Sequence, residues 1–145
     1  MCGAESGRFG ADKEVEELVR GFESGGLKPD DFSHRGHLAV ALWYQLRHPY
    51  EEALAVTRRN ILAFIARHGV DPKVYSETVT VFWMRRARAF LESRGAARPV
   101  HELANALADE CGDSRLINEY FSKELLDTDG ARRGWLEPDL KPLDF

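Results

Sequence analysis

Apolar residues in this chain recur every three or four positions in one stretch after another, and each stretch closes on glycine or proline. Such a repeat puts one apolar face on each segment and calls for helices that bury those faces against each other through short turns. Val15, Leu18, Val19 and Phe22 predict a first helix over Asp12–Ser24, stopped by Gly25-Gly26. Ser33 or Asp31 caps a second that runs to Arg47, before Pro49. The third spans Tyr50–His68 on a wide stripe that includes Ala53, Leu54, Ile61 and Phe64, and Gly69 follows it. Asp71-Pro72 reads as the cap and first residue of a fourth helix reaching Ser93. A fifth is expected over Val100–Glu110 and a sixth over Ser114–Leu126. No strand-like alternation of useful length interrupts the series.

The expected fold is therefore all-α, an up-and-down bundle of five to six helices in one domain over residues 1–145. A chain of 145 residues is long enough for one proper core and too short for two. Residues 1–10 are Gly-rich and polar and are expected to be mobile. Beyond Thr128, Gly130, Gly134, Pro138 and Pro142 argue for a short helical turn and then an extended tail. Trp135, Leu136, Leu140, Leu143 and Phe145 give that tail enough apolar surface to pack on the body.

Composition narrows the function classes. With 43% hydrophobic and 30% charged residues the chain is ordinary for a globular protein. Its longest apolar run, Leu38–Tyr44, is far shorter than the roughly 20 residues a bilayer requires. The N-terminus lacks a basic segment followed by an apolar run, so no membrane partner and a cytoplasmic location are expected. Cys2 and Cys111 are too few and too distant for a disulfide framework or a thiolate metal site. A net charge of −4 gives no general pull toward phosphate backbones, and no nucleic-acid partner is expected. Arg58-Arg59 and Arg85-Arg86-Ala87-Arg88 read as solvated faces with neighbouring acids. A second copy of the chain is a candidate partner, because bundles with exposed apolar stripes dimerise.

Helix order also predicts where a polar site lies. Helices two and four are each one turn away from helix three and run parallel, so both start at the same end. His34, His37, His68, Ser76 and Glu77 gather there. His34 and His37 sit three apart on one face, with Cβ atoms roughly 5–6 Å apart. Two imidazoles and a carboxylate can hold a divalent transition metal, Zn, Fe, Mn or Ni, and leave positions for water or substrate. Glu77 is the candidate third ligand or general base, hence the candidate catalytic residue for a small molecule bound there. Tyr44, His68, Tyr75, Ser76, Thr78 and Thr80 are the candidate pocket lining. Each has an ordinary structural role beside the functional one. The histidines can cap or pack, His68 suits a helix C-terminus, Glu77 suits a helix start, and Tyr44 suits a core. The threonines can bond back to helix carbonyls. A non-catalytic ligand-binding or interaction domain is thus the alternative to a metal-dependent enzyme.

Three segments carry a family likeness: Phe32-Ser33-His34-Arg35-Gly36-His37-Leu38, Tyr75-Ser76-Glu77-Thr78-Val79-Thr80, and Ala131-Arg132-Arg133-Gly134-Trp135-Leu136-Glu137-Pro138-Asp139-Leu140. The chain resembles a group of small all-helical bacterial proteins with F-x-H-x-x-H-L, Y-H-E-T-x-T and a tail of the type A-R-x-x-W-x-E-P-D-L. The resemblance implies a shared helical fold and a shared polar site, and no named reaction. Ser76 stands where that pattern carries a histidine, so a three-histidine site implied by it lacks one member here.

Overall fold

The computed structural model describes residues 8–145. They form an all-α structure, with no strand among the described residues. The first helix, α1, covers Asp12–Ser24 and buries Val15, Val19 and Phe22. Gly25 ends it at φ 81°, a left-handed conformation that costs glycine little and other residues much. Helix α2, His34–Arg47, starts where the Ser33 hydroxyl accepts the Gly36 N–H at 3.1 Å.

Helix α2 is buried nearly all round, with Leu38, Ala39, Val40, Ala41, Leu42 and Tyr44 in the core. It packs on α1, on α3 (Tyr50–Arg67), on α4 (Glu77–Arg94) and on α5 (Val100–Cys111), so it is the central element. A helix without a polar face cannot sit on the outside of a bundle, and its neighbours supply the solvent-facing surface.

Several boundaries differ from the sequence expectation. Asp71-Pro72 does act as a cap, its carboxylate accepting the Lys73 N–H at 3.0 Å, but it opens a 3₁₀ turn over Pro72–Val74. Helix α4 begins later, capped by the Ser76 hydroxyl accepting the Val79 N–H at 3.3 Å. The expected sixth helix is broken into a 3₁₀ segment, Ser114–Glu119, and a four-residue helix α6, Lys123–Leu126. The break lies at Ser122, whose N–H donates to the Asp139 carboxylate (2.8 Å) in the C-terminal segment. A five-residue helix α7, Asp129–Arg133, follows.

A second apolar cluster, Phe82, Ile117, Tyr120 and Phe121, joins α4 to this C-terminal region, and Trp135 and Leu143 pack against it. The Leu140 N–H donates to the Tyr120 carbonyl (2.9 Å) and the Tyr120 hydroxyl to Asp144 (2.5 Å). The expectation of a mobile N-terminus falls partly on residues 1–7, outside the described residues, as does Cys2. Beyond them the chain is pinned: Arg8 pairs with Asp109 (2.8 Å), and Phe9 exchanges hydrogen bonds with Asn105 at 2.9 and 2.8 Å.

The arginine run on α4 pairs with neighbouring acids, Arg88 with Glu92 at 3.4 Å among them, and also meets aromatic rings. Arg85 lies over Trp135 (4.4 Å) and Arg88 over Tyr50 (4.8 Å), while Arg86 pairs with Glu110 (3.5 Å). No helix among the described residues is long and apolar enough to cross a membrane.

Candidate functional site

The Ser33 cap sets the first turn of α2 and with it the two imidazoles. His37 Nδ1 lies 2.7 Å from the Ser33 carbonyl, and His34 Nε2 lies 3.1 Å from the Cys111 carbonyl. A carbonyl can only accept, so each of these ring nitrogens carries the proton and donates it. The tautomers are thereby set: His34 keeps Nδ1 and His37 keeps Nε2 as bare acceptors. Cys111 is the last residue of α5, so its carbonyl has no partner within the helix, and His34 supplies one.

Aromatic rings hold both side chains in place. His37 stacks on Phe32 with centroids 3.8 Å apart and planes 12° from parallel, and His34 meets the Trp83 ring edge-on at 4.5 Å. Gly36 permits the first contact, because a Cβ at that position would lie only 3.1 Å from the Phe32 ring. Burial pushes both imidazoles below their ordinary pKa, against the smaller opposing pull of the carbonyls they bond. Both rings are neutral at neutral pH.

The two rings wall a cavity of about 350 Å³ between α2, α3, α4 and the Ser114–Glu119 segment. A neighbouring cavity of about 290 Å³ is walled by Phe32, Phe64, Tyr75 and Ser76 among others. The two share His37, Ile61, Val79 and Thr80 as a common wall. His37 remains solvent-accessible on this common wall. No Asp, Glu, Lys or Arg lines either chamber. Mostly apolar walls with a few convergent polar groups are the usual make-up of a small-molecule site, and these volumes fall at its lower limit.

The remaining candidates separate. Thr80, Tyr75 and Ser76 do line the chambers. Glu77 does not: Arg58 grips its carboxylate with two hydrogen bonds, at 2.9 and 2.5 Å, and the Tyr75 hydroxyl donates a third at 2.6 Å. The Arg58 guanidinium holds the Glu77 carboxyl below its ordinary pKa, while burial, reinforced by the adjacent Glu77 carboxylate, pushes the Tyr75 hydroxyl up to about 12. Glu77 is an ionised pin between α3 and α4.

Thr78 is fully buried and faces the C-terminal segment, donating to the Gly134 carbonyl (2.7 Å) and accepting from the Leu136 N–H (3.2 Å). Ser76 serves the same attachment through the Ala131 carbonyl at 3.3 Å. Tyr44 is a core residue that donates to Glu23 (2.6 Å) and accepts from Asn60 (2.9 Å). His68 caps α3, with its ring 4.5 Å from Phe64. None of Thr78, Tyr44 and His68 lines the paired chambers. Thr57, Ile61 and Trp83 do, and sequence reasoning missed them because on their own helices they read as ordinary positions of a packed face.

The expected set of two histidines and Glu77 does not assemble, and no group of three His, Cys, Asp or Glu among the described residues is placed to hold a metal ion. The imidazoles alone offer two bare nitrogens, short of the three protein ligands usual in a catalytic centre. Comparison with family models, with curated proteins and with solved structures finds no match for this chain.

Burial of the two neutral rings has a consequence for pH. Each folded pKa lies below the ordinary 6.5, so between the two values the unfolded chain binds more protons than the folded one. The contribution is fully present above 6.5 and is lost as pH falls through the depressed folded values. Urea midpoints should therefore drop between about pH 7 and about pH 5, before carboxylates titrate, and the double variant His34→Gln, His37→Gln should flatten that part of the curve. An unchanged slope in the double variant would assign the effect elsewhere.

Proposed function

We propose that this chain binds a small, largely apolar molecule in the paired chambers between α2, α3 and α4, with His34 and His37 as the polar groups that meet it. The observation that carries this reading is the pairing of uncharged walls with two neutral imidazoles whose protons are committed to backbone carbonyls. Rings held this rigidly present their remaining lone pairs at fixed positions, which favours recognition of one ligand geometry. His37 Nε2 is also suited to take a proton from a bound hydroxyl, the role of a neutral general base, so the reading is open to catalysis on the same ligand.

The test is ligand-detected NMR with small uncharged and charged aromatic compounds, on the wild-type chain and on Val79→Trp. Val79 stands on the wall common to both chambers, and an indole there fills them. Saturable binding that Val79→Trp abolishes is expected. Absence of any saturable binder, or equal binding by the variant, would remove the proposal.

A metal-assisted version of the site is the second reading, favoured by one observation: each histidine gives its N–H to a carbonyl, as metal-ligating imidazoles commonly do. Two nitrogens with water or ligand completing the shell would bind an ion only weakly. Zinc titration followed by dialysis distinguishes the two, since retention of one equivalent, lost in His34→Ala and His37→Ala, would favour the metal.

A further inference from the structure

The chambers also carry information about the chemistry of their occupant, an inference that rests on the binding reading above. Four lining hydroxyls have committed their protons to the protein. Thr57 donates to the Ala53 carbonyl (2.7 Å) and Thr80 to the Ser76 carbonyl (2.9 Å). Tyr75 donates to Glu77 (2.6 Å) and Ser76 to the Ala131 carbonyl (3.3 Å). With both imidazole N–H groups committed as well, these groups present oxygen and nitrogen lone pairs. Among the described residues, the lining donors left free are the Trp83 indole N–H and the Ser114 hydroxyl, both in the larger chamber.

The same walls offer a charged ligand no partner of opposite sign. A buried ammonium would find no carboxylate and a buried carboxylate no cation, and an unpaired charge out of water is strongly disfavoured. The wall common to the two chambers carries two acceptors, His37 Nε2 and Thr80 Oγ1, between apolar space on either side. We infer that the occupant is an uncharged alcohol or phenol on an apolar body, and that its hydroxyl donates to His37 or Thr80 at the shared wall.

Isothermal titration with four ligands on one ring system tests this: β-naphthol, its methyl ether, β-naphthoate and β-naphthylmethylammonium. The phenol should bind roughly tenfold tighter than the ether, as one hydrogen bond supplies, and both ions should bind more weakly than the ether. His37→Phe keeps a ring on Phe32 while removing both nitrogens, and Thr80→Val removes the hydroxyl at nearly equal volume. At least one of the two should bring the phenol down to the affinity of the ether without weakening the ether, with helical circular dichroism unchanged. Equal affinity for phenol and ether, or tighter binding of either ion, would overturn the donor assignment while leaving the cavity reading standing. No binding of any of the four, by a wild-type chain shown to be folded, would overturn both.

Discussion

Replacing Phe82 with alanine is expected to lower the unfolding free energy by about 3–5 kcal/mol, the largest loss from any single truncation considered for this chain. Phe82 has no accessible surface and stands where the main core meets the C-terminal cluster. Its ring contacts Trp83, Tyr120, Phe121 and Phe145 at centroid distances of 5.0, 5.4, 6.0 and 5.5 Å. Partners drawn from three separate segments cannot all collapse into the space left behind, so the cavity persists and adds to the lost transfer energy. Urea denaturation followed by near-UV circular dichroism measures the loss. Phe145→Ala, at a ring that is 37% exposed, should cost much less. A loss below about 1 kcal/mol for Phe82→Ala would mean that the C-terminal cluster does not depend on this ring.

Thr78→Val is the second large effect, expected at about 1–3 kcal/mol although the two side chains have nearly the same shape. The substitution leaves the Gly134 carbonyl and the Leu136 N–H without the hydroxyl that now satisfies both, at a position with no accessible surface. Its signature is local: the Leu136 amide should exchange faster with deuterium, while core amides of α2 slow or speed only with global stability. Thr78→Ser, which keeps the oxygen, should restore most of the protection. Equal protection of Leu136 in the valine variant would show that the C-terminal segment is held without Thr78.

The long helices were legible because their signals are local. Ser33, Gly25 and Gly69 act within a turn of themselves, and a cap or a positive φ works the same way in any tertiary setting. The central position of α2 was also written in the chain, in the run Leu38-Ala39-Val40-Ala41-Leu42-Trp43-Tyr44 that leaves no polar face. The interior break of the expected sixth helix was not legible, although its end at Leu126 was. At Ser122 the hydroxyl caps α6 by accepting the Leu125 N–H (3.1 Å), and Asp139, 17 residues away, holds the same residue through its N–H and hydroxyl, a partner no pattern within the segment announces.

The site divides along the same line. His34 and His37 share a helix turn, so their proximity followed from spacing alone, and Tyr75, Ser76 and Thr80 beside them line the chambers from around a neighbouring helix start. Glu77 and Thr78 stand apart from the chambers for one reason: spacing along α4 says which residues are near one another and not which way each is drawn. Arg58 on α3 takes Glu77, and the Gly134–Leu136 backbone takes Thr78.

What the chain determined alone was therefore its all-helical character, its caps and the adjacency of two imidazoles, all products of short-range geometry. Only the tertiary structure decided that burial lowers the pKa of these imidazoles, that His34 yields its proton to a carbonyl on α5, and that the walls beside them carry no charge. Desolvation, and the His34 bond to a carbonyl 77 residues away, arise from groups far apart in sequence, so they come into being when the helices pack.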